Sequence, residues 1–315
     1  MATPSGMLDV RILRELTLLA SANAAQPSHL SAASGLVRIG QRVYVVADDE
    51  NALAVFDLGD AKPGSSVELF DGELPASHDE RKAAKPDLEA LTQLPAFDRH
   101  PFGALLAVGS GSRRNRMQAA LLRLDAAGAV DSAAQRVDLS ELLLPLQQRF
   151  AQLNIEGAFV AGGELCLLQR GNARTPANAC IRFGLDPFLH WLGHSGKMPA
   201  IVSITHHDLG AIDGVPLGFT DGVGLPDGRW LFCAAAEDTS DNYADGRCLG
   251  SVVGMIDAAG TLQRLDRLGL VCKVEGIARV DDADSASALH LPLLLVSDAD
   301  DRRIAAQLLS VTLTL

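Results

Sequence analysis

A short step recurs five times in this chain: a turn, a serine or acidic residue, a small or apolar residue, then the apolar run of a strand. The copies are Ser34-Gly35-Leu36, Glu89-Ala90-Leu91, Glu156-Gly157-Ala158, Asp221-Gly222-Val223 and Glu275-Gly276-Ile277, spaced 54 to 67 residues apart. Such a period marks a toroidal array, in which each unit buries its faces only against its neighbours. No interval is long enough to hold two blades of the usual size, about 40–50 residues each.

Each copy opens a series of short Val- and Leu-rich runs ended by Gly, Asp, Asn or Pro, the pattern of antiparallel strands. The first unit reads as strands over 35–39, 42–47, 52–58 and 66–70, and the next three units repeat the scheme. The fifth offers 276–280, 293–297 and 305–313, and then the chain stops. Segment 8–19 can supply the missing outer strand, although 11–19 also has helical spacing. Pairing it with the last unit closes the ring and removes two open sheet edges. The predicted fold is all-β: a five-bladed β-propeller closed by an N-terminal strand, one domain over 1–315, with six blades as the alternative count. Two insertions and one long loop interrupt the scheme. Segment 139–153 has helical spacing broken by Pro145, 186–192 reads as a short helix, and 71–86 reads as a long polar loop.

Composition narrows the function classes. Hydrophobic residues at 48% provide a core, which argues against disorder. Aromatics are only 4%, so that core is aliphatic. A formal charge of −12 excludes a protein that tracks a phosphate backbone, and no nucleic acid is expected as partner. No apolar run reaches the length of a membrane span. The start, Met1-Ala2-Thr3-Pro4-Ser5-Gly6, lacks the basic and apolar regions of a secretory signal, so a cytoplasmic location is expected. Cys166, Cys180, Cys233, Cys248 and Cys272 are odd in number and form no C-x-x-C pair, which reads as buried, reduced thiols. The sequence carries no signal for an oligomeric state.

Strand direction locates the site. The innermost strand leaves one face of the disc and the second returns to it, so the start of one and the end of the other meet at one mouth of the channel. The first set is Ser34, Glu89, Glu156, Asp221 and Glu275. The second includes Asp48, Asp49, Ser110, Ser112, Arg113, residues 169–172, Glu237, Asp238, Asp298, Asp300 and Asp301. Four carboxylates facing a narrow axis cannot all stay ionised uncompensated: some protonate, or arginines pair with them, or a cation sits among them. Oxygen-only ligands favour a hard ion, Ca²⁺ or Mg²⁺. The competing reading is that the acid-small step merely shapes a blade turn.

Beside the acids stands Gly109-Ser110-Gly111-Ser112-Arg113-Arg114-Asn115-Arg116, whose serine hydroxyls and arginine forks suit carboxylate or phosphate oxygens. It lacks the Gly-Lys-Ser/Thr ending of a phosphate-binding loop, and a plain solvated hairpin is its other reading. Arg170 holds the equivalent place one blade on. His206-His207-Asp208 is expected on the same face, as an acid/base pair or as ordinary surface loop.

The segments Lys85-Pro86-Asp87-Leu88-Glu89-Ala90-Leu91, Asn154-Ile155-Glu156-Gly157, Lys273-Val274-Glu275-Gly276-Ile277 and Val296-Ser297-Asp298 resemble bacterial propellers of the phytase-like (esterase-like activity of phytase) group. They are similar, more distantly, to the calcium-dependent lactonase and gluconolactonase propellers. The resemblance implies a site at the channel mouth that holds calcium. The enzyme expectation is therefore a metal-assisted hydrolase of a small anionic ester or phosphoester. Ca²⁺ or Mg²⁺ would sit on Glu89, Glu156, Asp221 and Glu275, with Glu156 and Glu89 catalytic. Ser110, Ser112, Arg113, Arg116, Arg170 and Asn172 would bind the substrate. The alternative is a propeller that binds a ligand or protein without turning it over.

Overall fold

Short aliphatic runs that each have two apolar faces can be satisfied only by sheets packed on both sides, and a ring of radial sheets does this for every unit. A computed structural model shows that ring as a five-bladed β-propeller. It describes residues 4, 6–19, 28–172, 175, 177–194, 196–239, 246–280 and 290–314.

Blade one is built from Ala33–Ile39, Arg42–Ala47, Ala52–Asp57 and Ser65–Glu68, in that order from the axis outward. Blade two uses Leu88–Leu94, Ala104–Gly109, Gln118–Arg123 and Gln135–Asp138. Blade three uses Ile155–Ala161, Glu164–Gln169, Asn178–Gly184 and Ile201–His207. Blade four uses Val215–Gly224, Trp230–Asp238, Arg247–Ile256 and Leu262–Leu268. Blade five has Lys273–Arg279, His290–Asp298 and Gln307–Thr314, and its outer strand is Arg11–Glu15 from the N-terminus, antiparallel to the last strand. Strand pairing thus wins over the helical spacing of 11–19. The short strand Gly6–Leu8 adds a second seal, running parallel to Leu262–Leu268 on the edge of blade four.

Inner strands of adjacent blades pack side by side around the whole ring. Five apolar clusters fill the five interfaces between blades. Phe219, Trp230 and Phe232 anchor the one between blades three and four, and Val45, Phe56, Val296 and Leu308 lie in the one that closes the ring. All five cysteines are free; Cys166, Cys180 and Cys233 are buried, while Cys248 and Cys272 are half-buried. Among the described residues, no helix is long and apolar enough to cross a membrane.

Among the described residues, three α-helices decorate the ring. Ser140–Gln147 (α2) keeps Pro145 inside it and ends soon afterwards, packing Leu142, Leu143 and Leu146 under blades two and three. Leu185–His194 (α3) covers the outer part of blade three with Phe188, Leu189 and Leu192. The segment expected to be a loop over 71–86 contains His78–Ala84 (α1), which starts after Ser77 and stops before Pro86. In chain order α1 is the first of the three, and it is the one that reaches the channel mouth.

Candidate functional site

The repeated step has a backbone cause. In blade two Leu88 opposes Gly109 and Ala90 opposes Val108, which leaves Glu89 as the extra residue of a β-bulge. Glu156 is extra in blade three and Glu275 in blade five, and in blade one the register jumps across Ser34 and Gly35. A bulge turns its extra side chain out of the sheet, here into the mouth. Blade four differs: Phe219 opposes Ala234 and Asp221 opposes Cys233, so its extra residue is Thr220. The fourth copy is therefore out of phase by one residue, and Asp221 stands where its counterparts have Ala or Gly.

That phase shift moves Asp221 away from the mouth. Its Oδ2 accepts a hydrogen bond from the Ile277 amide of blade five at 3.0 Å. Burial pushes its carboxyl well above the usual carboxylate range, against the pull of the Ile277, Gly222 and Leu36 amides. Asp221 is a buried stitch between inner strands. It is not part of a ligand set with Glu89, Glu156 and Glu275, which corrects the expected metal site.

The mouth holds a cavity of about 90 Å³, walled by Ser34, Glu89, Glu156 and Glu275 from the inner strands and by Asp48, Arg170, Asn172, Glu237 and Asp298 from the ends and turns of the second strands. A single water needs about 10–15 Å³ on this measure, so several waters or a small ligand fit. A second cavity of about 150 Å³ shares Asp48, Lys82, Lys85, Lys273 and Asp298 with the first. Ion pairs form the partition between them.

Those pairs show how the acids are compensated. Arg170, with its side chain 11% exposed, lies 3.1 Å from Glu156, 2.7 Å from Glu237 and 3.5 Å from Glu275, thereby joining blades three, four and five. Lys273 lies 3.2 Å from Glu275, 3.2 Å from Asp298 and 3.0 Å from Asp300. Lys85 contacts Asp48 and lies 2.9 Å from Asp87, whose other oxygen meets Arg116 at 2.7 Å. Of the three ways to relieve an acidic ring, pairing with protein cations is the one this mouth uses most.

Glu89 is the exception. Ser34 Oγ donates to it at 3.1 Å, and no described cation pairs with it directly. Burial, then Glu156, Asp87 and Asp48, push its carboxyl well above the usual range, with Lys85 opposing. Glu156 is also raised by burial, but Arg170 pulls back and it settles at about 7. Asn154 Nδ2 donates to its other oxygen.

The arginine-rich turn does a different job from the one expected. Ser110 Oγ donates to Asp87, Ser112 Oγ accepts from Arg116 at 3.1 Å, and Arg116 is 3% exposed. Arg116 Nη2 also donates to the Lys82 carbonyl of α1 at 2.9 Å, and Asn115 donates to the Ala83 and Lys85 carbonyls. Arg113 is exposed outside the cavity. Of the six expected substrate-binding residues, Arg116, Arg170 and Asn172 line the cavity, and Ser110, Ser112 and Arg113 do not. His207 corrects a further expectation: it is buried against Phe219 and Trp230, and burial takes its ring down to about 4, so it is a neutral core residue.

Sequence reasoning missed Lys85, Asp87 and Lys273 as mouth residues. Lysines just upstream of the second and fifth acid steps were the available signal.

A fit for Ca²⁺ or Mg²⁺ can be judged from these contacts. Among the described residues, the group of three or more carboxylates close enough to share an ion is Asp48, Asp87 and Glu89. The Lys85 ammonium already contacts two of them, and Arg170 and Lys273 neutralise Glu156 and Glu275. The residues present do not fit a divalent ion without displacing a protein cation.

Residues 29–313 match the family model described as a family of unknown function, DUF6929. No curated protein matches the sequence. Among solved structures the chain is similar to glutaminyl cyclase of Myxococcus xanthus, at 12% identity and a TM-score of 0.50, covering 99% of this chain and 100% of that one. It is also similar to a luciferin-regenerating enzyme (10% identity, TM-score 0.46, 90% and 92% covered). A putative phosphatase of Bacteroides thetaiotaomicron gives 11% identity and a TM-score of 0.47, with 92% and 62% covered. At these identities the likeness shows the fold alone.

Proposed function

We propose a small-molecule hydrolase role for this chain, which belongs to the DUF6929 family of unknown function. One observation carries the reading: Glu89 and Glu156 line one cavity in different electrostatic settings. Burial and acidic neighbours keep the proton on Glu89, while Arg170 lets Glu156 lose its proton near neutral pH. Carboxyls set apart in this way suit a general acid and a general base. With a small ester in the cavity, Glu156 takes a proton from water as the water oxygen bonds to the ester carbon. The bond to the leaving oxygen breaks, and Glu89 gives that oxygen its proton. The products are an acid and an alcohol, and solvent returns the proton from Glu156 to Glu89.

A neutral, hydroxyl-bearing ester suits the wall better than the anionic ester suggested by the arginine-rich turn. Arg116, Arg170, Lys85 and Lys273 already face carboxylates. The lining carries seven acidic side chains against five basic ones, so with those cations already paired an added anion gains little. For the same reason the calcium chemistry of the phytase-like and lactonase propellers supplies no step here.

The Arg170–Glu156 pair favours a second reading, a binding propeller without turnover, since a guanidinium weakens the base it holds. A panel of neutral and anionic esters, assayed in chelator, separates the two. Hydrolysis of a neutral ester, reduced about 10²–10⁴-fold by Glu156→Gln with the fold intact, supports the hydrolase. A ligand-induced rise in melting temperature without product supports binding. Neither effect with any compound sinks both.

A further inference from the structure

The contacts around Lys85 go beyond either reading. Asp48, Asp87 and Glu89 each offer an oxygen within 4.8 Å of the others, a spacing compatible with a hard divalent cation. The Lys85 ammonium contacts Asp48 and lies 2.9 Å from Asp87, two of these three carboxyl groups. The backbone of Lys85 is fixed from several sides. The Lys85 amide closes the last turn of α1 on the Arg81 carbonyl, Pro86 prevents the helix from continuing, and Asp87 takes a left-handed φ of 58°. That turn brings the Asp87 carboxylate back onto the ammonium two residues earlier.

The helix that delivers Lys85 is itself clamped. Arg81 donates to the Asp49 carbonyl at 2.8 Å and pairs with Glu50 at 2.7 Å, from blade one. Asn115 and Arg116 hold the α1 carbonyls from blade two. The arginine-rich turn and the 71–86 insertion together place one lysine nitrogen.

We propose that Lys85 is a tethered cation, an ammonium that sits on Asp48 and Asp87 of the Asp48–Asp87–Glu89 group in place of a divalent metal ion. The chain thereby fills its own cation site. Deleting the ammonium while keeping the carboxylates converts the mouth into a Ca²⁺ site.

The test measures Ca²⁺ and Mn²⁺ binding by calorimetry, together with melting temperature in either ion and in chelator. Wild-type protein is expected to show no saturable binding and no shift in the millimolar range. Lys85→Met should bind one ion per chain, with a dissociation constant on the order of 10⁻⁴–10⁻³ M, and melt at a higher temperature with the ion. Adding Asp87→Asn to Lys85→Met should abolish both effects. If Lys85→Met does not fold alone, recovery of its cooperative melt in Ca²⁺, but not in Na⁺ of equal ionic strength, supports the proposal. Saturable binding to wild type that Asp87→Asn removes would overturn it. So would a Lys85→Met protein that neither binds an ion nor is recovered by one.

Discussion

Arg170 Nη2 lies 2.7 Å from Glu237 Oε2, linking the end of the second strand of blade three to its counterpart in blade four. The same guanidinium reaches Glu156 and Glu275, so one residue contributes to the compensation of three buried acids. Removing one partner of a buried network leaves the remaining charges without compensation, at about 3–5 kcal/mol. Arg170→Met should therefore lower the urea midpoint strongly at pH 8. The loss should be smaller at pH 5, where the orphaned carboxyls can protonate. An equal loss at both values would mean that packing of the arginine stem, not its charge, is what matters.

The raised carboxyls also fix the sign of the pH dependence. Glu156 and Asp49 both titrate at about 7 in the folded protein, above their ordinary values of 4.5 and 3.8. The native state then holds more protons than the unfolded chain between those limits, so stability falls as pH rises through this window. Their contribution is full below about pH 4 and is lost by about pH 8. Urea midpoints across that range should decline from these groups, and Glu156→Gln should flatten part of the slope. A slope unchanged in the variant would reassign the titration to other groups.

The fold was readable because its repeat is a backbone device. In four of the five blades a bulge followed by a small residue recurs near the start of the inner strand, and sequence displays both. The phase of the fourth copy was not readable: Thr220-Asp221-Gly222 offers an acid and a glycine, and pairing to Ala234 and Cys233 alone decides which residue is extra. Of the cations at the mouth, Arg116 and Arg170 were legible as turn residues at the ends of second strands, whereas Lys85, which reaches the mouth from the 71–86 segment, and Lys273 were not. Ser77 followed by Glu80 carries the helix-start spacing that the loop reading of 71–86 overlooked.

The small residue of the step has its own test. A Cβ built on Gly276 would meet the Ser34 carbonyl oxygen at 2.4 Å and the Leu36 Cβ at 2.8 Å. Blade five would have to move off blade one to accept even a methyl group. Gly276→Ala should cost about 1–3 kcal/mol in denaturant unfolding, the usual penalty of overpacking. Gly40, with nothing near its Cβ position, is no suitable control because its φ is 60°, where alanine is itself strained. Ala278→Gly, on the same strand, tests backbone freedom without the clash and should cost less.

Asp221 separates structure from chemistry most cleanly. Its carboxylate receives the Ile277 amide and is attracted by two further backbone donors, Gly222 and Leu36, which belong to blades four and one. Asp221→Ala strands amides that water cannot reach, at about 1–3 kcal/mol. Asp221→Asn keeps one acceptor oxygen and should recover part of that loss. Because the Asp221 side chain lies off the mouth cavity, both variants should keep the ligand-induced melting shift and any turnover of the folded wild type. Loss of turnover in a stable Asp221→Asn protein would return this residue to the functional set and undo its assignment as a stitch between blades.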